Sequence, residues 1–173
     1  MIYKIRVVLD TKEDVIRTLL LNSSMTLEEF HKIIANVFGF NGQEMASFFR
    51  SDDEWNQGEE IPLCTMDDGP NALCMSTTTL AQNIEDPEEK MIYVYDYLEM
   101  WTFYCELIEV APQSQEELPK LVLSIGDTPE KAPEKEFKAE KEKSPYELED
   151  DFNEDFDHFD NFESLDNIDL DQY

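Results

Sequence analysis

Basic residues are scarce in this chain of 173 residues. It contains 13 Lys and Arg against 41 Asp and Glu, which gives a formal net charge of −28 at pH 7. Nucleic acids and anionic membranes attract Lys and Arg side chains, so the acidic surplus argues against both as direct partners. A basic protein partner, or simple solubility, is compatible with this charge.

Cysteine and histidine are also few. The three cysteines lack CxxC spacing and there are only two histidines, which excludes a conventional zinc site and favours reduced thiols in the cytoplasm. Cys105 lies in an apolar strand pattern and is expected to be a small buried hydrophobe. His31 falls beside Glu28 and Lys32, so we expect a solvated surface histidine. No apolar run reaches the roughly 18 residues of a membrane span.

Catalytic and nucleotide-binding signatures are missing. The sequence contains no GxxxxGK[ST], GxGxxG, HExxH or GxSxG motif. The acidic loop 51–60 offers alternating oxygen ligands, but an EF-hand calcium loop starting at Asp52 needs Gly and Glu where the chain has Gln57 and Leu63. We therefore predict no metal, no cofactor and no enzymatic activity. A weak divalent-metal-dependent enzyme that uses this loop is the alternative.

Hydrophobic periodicity indicates one helix and several strands. Alternation over residues 3–9 and a second apolar run over 15–21 predict an initial hairpin. Thr26 and Glu29 form a capping-box pattern and Gly39 is a stop signal, so we predict a helix between them. Its apolar stripe comprises Phe30, Ile33, Ile34, Val37 and Phe38. Further strands are predicted at 45–50, 61–64, 91–97, 101–110 and 121–125, with a helical turn at 79–84 and a polar loop at 51–60.

This order of elements predicts an α+β domain. We expect a mixed or antiparallel sheet with one main helix packed on a face, in a β-grasp-like arrangement. The alternating strand and helix units of Rossmann folds and TIM barrels are missing, and the chain has only five glycines. We place the domain at 1–127, a charged Glu/Lys linker at 128–143, and an acidic tail at 144–173 that is disordered or folds on a partner.

Four segments carry a family resemblance: YKIRVVLD, LEEFHKIIANVFGF, SDDEWNQGEEIPL and YVYDYLEMWTFYCELIEV. As a set they resemble the plasmid pRi ORF-three-like family, whose members are often labelled insertion-element passenger or TnpR-like proteins. The resemblance covers residues 1–129. It implies a compact α+β fold and an association with plasmids and transposons, and it implies no particular reaction.

The chain also departs from that family. Many members read Tyr-Asp-Phe-Gly-Asp followed by Trp-x-His, and Trp101 fits this pattern. Leu98 and Glu99 replace the Gly-Asp pair, Phe103 stands at the histidine, and a frequent Cys-Pro-Pro-Glu-Asp-Cys stretch is absent. A site built from those residues in other members is therefore not expected here. A resolvase is not expected either, because the chain has only three arginines and no basic DNA-binding helix.

The tail combines acids with regularly spaced apolar side chains. Residues 144–173 contain 12 acidic residues and no Lys or Arg. Spacings of three or four residues predict a helical stripe that is unstable alone but folds on a basic groove. The predicted protein-binding residues are Phe152, Phe156, Phe159, Phe162, Leu165 and Ile168.

From these features we predict a mobile-element-associated, non-enzymatic interaction module whose acidic aromatic tail engages a basic protein partner. Two alternatives stay open. The tail could be a disordered, solubilising end, since acidic segments of low hydrophobicity often remain disordered. The acidic surface could also mimic nucleic acid and inhibit a DNA-binding protein.

Overall fold

The computed structural model describes residues 1–67, 69–113 and 115–134, which form one compact unit. Seven strands build a single sheet in the order β4-β3-β5-β6-β1-β2-β7, and every neighbouring pair is antiparallel. The strands are β1 (Ile2–Leu9), β2 (Ile16–Asn22), β3 (Ala46–Ser51), β4 (Gln57–Pro62), β5 (Lys90–Tyr95), β6 (Trp101–Ala111) and β7 (Lys120–Ile125). The helical elements of this part of the chain are α1 (Leu27–Phe38) and a 3-10 turn (Leu80–Gln82).

The predicted β-grasp-like α+β fold is wrong. The described chain is predominantly β, with one 12-residue α-helix beside seven antiparallel strands. Part of the error lies in the polar segment 51–60, because β4 begins inside it at Gln57. β4 lies at a sheet edge and its first four residues are exposed, so backbone pairing with β3 forms the strand without an apolar alternation in the sequence.

The predicted helix is confirmed, together with both of its end signals. The Glu29 N–H donates to Thr26 Oγ1 at 3.2 Å, and Glu29 Oε2 accepts from the Thr26 N–H at 2.9 Å. Gly39 ends the helix with a φ of 85°. The buried face is rotated from the predicted stripe, because Ile33 and Val37 lie half-buried at its flank. The fully buried positions are Leu27, Phe30, His31, Ile34, Ala35 and Phe38.

Helix α1 packs on one face of the sheet and encloses an aromatic core. Phe30 stacks on Phe48 of β3 with ring centroids 5.4 Å apart, and Phe38 meets the edge of Phe103 of β6 at 4.8 Å. The predicted alternation in β6 is confirmed on this face, since its inward side chains, including Cys105, are buried. Each large apolar side chain removed from water in this way stabilises the fold by about 1.5–3 kcal/mol.

Arg17 connects this core to the outer strand. Its buried side chain lies over the Phe38 ring at 5.0 Å and donates from Nε to the Val37 carbonyl near the helix end, at 3.2 Å. Its Nη1 donates to the carbonyl of Ile125 at 2.8 Å. One guanidinium therefore satisfies a carbonyl at the end of α1 and fixes the last residue of β7.

Candidate functional site at the outer strand

Strand β7 carries the main apolar surface that the described residues leave exposed. It pairs with β2 along one side, and no described strand pairs with its other side. Four of its six residues are large hydrophobics, each between 42% and 44% exposed: Leu121, Val122, Leu123 and Ile125. A strand edge of this kind presents backbone N–H and C=O groups to whatever approaches it.

The exposed side chains lie on both faces of the sheet. Leu121 is opposite Leu19, whose side chain belongs to the helix-covered core, and Leu123 is opposite Thr18, which faces the other side. The register shifts between Thr18 and Leu19, so Val122 is an extra residue in this ladder. The edge is therefore apolar on both faces.

A groove adjoins β7 on each face. The helix-side groove has a volume of about 480 Å³ and runs between Ile33 and Val37 of α1 and Leu121 of β7. The groove on the other face has a volume of about 350 Å³ and is bounded by Leu20 and Val122. Both grooves are mainly apolar with charged rims, and the rim lysine Lys120 is paired with Glu116 at 3.6 Å.

Acidic residues mark both ends of β7. Glu116 and Glu117 precede the strand and Asp127 follows it. Asp14 lies beside the same C-terminal end, because a Cβ on Gly126 would be 2.1 Å from the Asp14 carbonyl oxygen. Gly126 has a φ of 70°, so this close turn requires glycine. The apolar edge is thus bracketed by negative charge.

The prediction of a solvated His31 is wrong. The side chain is 1% exposed, and its Nδ1 lies 2.5 Å from the hydroxyl of Tyr93 in β5. Position 31 belongs to the buried face of α1, and the Tyr93 hydroxyl supplies the polar partner that makes this burial tolerable. The sequence pattern did not show this partner, because Tyr93 is 62 residues away along the chain.

Burial also governs the ionisation of this pair. Desolvation lowers the pKa of His31, and the charge of Lys32 lowers it further. A hydrogen bond with the Gly42 backbone and the charge of Glu28 oppose this shift. Burial raises the pKa of the Tyr93 hydroxyl. Both groups are therefore neutral at pH 7 and enclosed, which suits a structural hydrogen bond better than acid–base catalysis.

The loop at Asp52 uses its carboxylate locally. Asp52 accepts hydrogen bonds from the backbone of Glu54 and Asn56, at 3.0 and 2.9 Å, and from the Asn56 side chain at 2.8 Å. The Asn56 bonds lower the pKa of this carboxyl. Among the described residues, no three His, Cys, Asp or Glu side chains are arranged to hold a metal ion.

These features describe a β-sheet protein with an enclosed histidine and an open outer strand. The chain belongs to the plasmid pRiA4b ORF-3-like protein family, whose model matches residues 1–134, so the family resemblance in the sequence is confirmed. The fold is similar to the crystal structure of a protein of unknown function from Methanosarcina mazei Go1. The two are 16% identical with a TM-score of 0.59, over 71% of this chain and 68% of that one. No curated protein matches the chain significantly.

The predicted binding residues of the tail, from Phe152 to Ile168, lie outside the described residues and stay a prediction.

Strand β7 was predicted as a strand at 121–125, but its exposure was not foreseen. The available signal was its sequence, KLVLSI. Its apolar residues are not separated by charged residues, which are common in the last strand of a sheet. Within the described residues, no helix is long and apolar enough to cross a bilayer.

Proposed function

We propose that the protein is a mobile-element-associated, non-enzymatic interaction module that binds a basic protein, and that its acidic tail, residues 144–173, engages this partner. The observation that carries the proposal is the placement of charge in the described domain. Every described Asp and Glu is at least partly exposed. The buried charged and polar side chains are instead Arg17 and His31, together with neutral hydroxyl groups.

Ion pairs neutralise little of this acidic surface. The described residues form six, each joining one Lys or Arg to one carboxylate. With 13 basic against 41 acidic residues in the whole chain, there are too few cations to pair with most of the carboxylates. Such a surface attracts a positively charged protein and speeds its association, most strongly at low salt.

The surroundings of the candidate reactive groups support a non-enzymatic role. His31 is hydrogen-bonded inside the core, and burial of Cys105 raises the pKa of its thiol, which keeps it protonated. Asp52 is held by its own loop. The association with mobile elements rests on the plasmid-derived family to which the chain belongs.

A pull-down tests the role of the tail. The full chain is compared with a truncation after Lys143, which keeps the complete sheet, and with two matched full-length variants. One replaces the six apolar residues from Phe152 to Ile168 by Ser and keeps every charge; the other replaces the tail acids by Asn and Gln and keeps the apolar stripe. We expect a basic protein on the full chain and its loss from all three, while identical partners on all four proteins would contradict the role.

The enzymatic alternative has a separate test. If the Asp52 loop holds a divalent ion, then Mg²⁺, Mn²⁺ or Ca²⁺ raises the unfolding temperature of the full chain, since a ligand that binds the folded state stabilises it. An Asp52→Asn variant serves as the control. We expect no shift for either protein, and a shift that is lost in Asp52→Asn would support a metal-dependent activity.

A further inference from the structure

We propose that β7 is a docking edge for an extended segment of a partner protein. The segment adds to the sheet beside β7, carries apolar side chains on both of its faces, and is flanked by Lys or Arg at both ends. The proposal rests on the proposed function in that it requires a protein partner. It assigns that partner a second contact, made by the folded domain instead of the tail.

The backbone at the outer side of β7 is suited to strand addition. Natural edge strands are commonly guarded by charged residues, proline or bulges. Here charge and proline are confined to the start of the strand, where Pro119 and Lys120 stand, and the register shifts at Val122. The stretch beyond this shift, Leu123–Ile125, contains no charge and no proline. An added strand therefore has a regular stretch of backbone to pair with there.

The edge is also held in place. β7 pairs with β2 over most of its length, and the Ile125 carbonyl accepts from the buried Arg17. A strand that is already ordered loses little conformational entropy when a second strand adds to it. This anchoring distinguishes β7 from the other exposed apolar group, which lies in the turn between β5 and β6 at Tyr97, Leu98 and Met100.

The side chains of an added strand would meet apolar surface on both faces. Successive residues of a strand point to opposite faces, so a segment beside β7 contacts Leu121 on the helix side and Leu123 on the other. A groove next to β7 on each face gives room for larger side chains. Apolar residues at successive positions of the partner segment follow from this arrangement.

Charge selects the flanks of the partner and argues against a second copy of this chain. Acids at both ends of β7, Glu117 at one and Asp14 and Asp127 at the other, favour Lys or Arg beside the apolar segment. Two copies would bring together chains of net charge −28 each. A stable dimer also needs roughly 20–30 residues a side, whereas β7 offers a single short strand.

The test uses the full chain and a labelled synthetic peptide with a core of consecutive Val residues and two lysines at each end. Affinity is measured by fluorescence polarisation at low salt. Leu123→Lys should weaken binding about five- to tenfold, the effect of losing the burial of part of one leucine. Leu98→Lys is the matched control, because it adds the same charge at a leucine that is 94% exposed in the β5–β6 turn. It should bind like the wild type.

Hydrogen exchange locates the contact, since peptide binding should slow exchange of the β7 amides. The proposal is overturned if the peptide does not bind, if both variants bind alike, or if protection appears elsewhere. It is equally overturned if sedimentation shows a dimer that Leu123→Lys dissolves, because the occupant is then a second copy. Should Leu123→Lys unfold, Leu123→Thr replaces it, with the same expected direction.

The pull-down separates this proposal from the proposed function. A Leu123→Lys chain that still captures the basic partner, while the truncation after Lys143 does not, refutes the docking edge and leaves the interaction module standing. Loss of the partner in Leu123→Lys, but not in Leu98→Lys, supports the edge.

Discussion

Strands β6 and β7 belong to the same sheet and are both rich in apolar residues, yet their surroundings are opposite. β6 lies between β5 and β1 beneath α1, and Trp101, Phe103, Cys105 and Leu107 are buried. β7 lies at the end of the sheet, and all six of its residues are exposed. Position in the sheet, more than residue type, therefore decides which apolar strand becomes core and which becomes surface.

The difference separates stability from recognition. Burial under α1 makes β6 a source of folding free energy, because its side chains are removed from water on the helix side. β7 retains apolar area that the described residues leave in water, and such exposed area is typical of interaction sites. Four predictions test this contrast.

The largest effect is expected in the centre of the sheet. Phe103→Ala should lower the free energy of unfolding by about 3–5 kcal/mol, because it leaves a cavity beneath Phe38 and beside Tyr93. Leu123→Ala in β7 should lower it by less than about 1 kcal/mol, since the residue is already 44% exposed to water. Urea titration measures both, and equal losses would show that β7 is as buried as β6.

Arg17 joins the two regions, so its loss should affect both. Arg17→Met should cost about 2 kcal/mol, because the carbonyls of Val37 and Ile125 lose a charged donor. Arg17→Lys keeps the charge with a single donor group and should cost less. Urea titration gives the free energies, and exchange of the Ile125 region should quicken in Arg17→Met. Stability within about 0.5 kcal/mol of wild type would contradict the bridging role.

The buried His31 should make the free energy of unfolding depend on pH. Its pKa in the folded protein is below the ordinary 6.5. Protons therefore bind the unfolded state more readily. The stabilisation that depends on a neutral His31 is complete above pH 6.5 and is lost as the pH falls below it. For one titrating group, the free energy of unfolding changes by at most about 1.4 kcal/mol per pH unit.

The control for this pH effect is His31→Gln, which leaves Tyr93, Tyr95, Glu28 and Lys32 around the site unchanged. Urea titrations between pH 8 and pH 5 should show wild type losing stability relative to the variant. Parallel curves for the two proteins would contradict a buried neutral histidine.

The smallest effect is expected at the helix cap. Thr26→Ala removes the oxygen that accepts from the Glu29 N–H and should cost about 1 kcal/mol. Thr26→Ser keeps that oxygen and should be near wild type. Because α1 covers β6 and not β7, amide exchange in Thr26→Ala should quicken in α1 while β7 is unchanged. Equal quickening in β7 would indicate that the helix supports the outer strand as well.

Local signals in the sequence predicted much of the fold. The capping pair at Thr26 and Glu29, the glycine stop at Gly39 and the alternation in β1 and β6 depend on neighbours within a few residues, and the structure confirms each. The strand order could not be predicted, because pairs such as β1 with β6 join segments about a hundred residues apart. That order, together with the start of β4 at Gln57 inside the predicted loop, made the predicted fold class wrong.

The candidate site was less predictable for the same reason. His31 has charged neighbours in sequence, and its burial depends on Tyr93 from a distant strand. β7 reads as an ordinary strand, and its exposure follows from lying last in the sheet. The family, in contrast, could be identified from the sequence, because it depends on the linear pattern of residues 1–134.

Native-state hydrogen exchange on the full chain alone tests most directly whether β7 is an open edge. We predict that the β6 amides exchange only on global unfolding, and that the β7 amides on the side away from β2 exchange with a much smaller free energy of opening. β7 amides as strongly protected as those of β6 would contradict the account, because the outer edge would then already be covered.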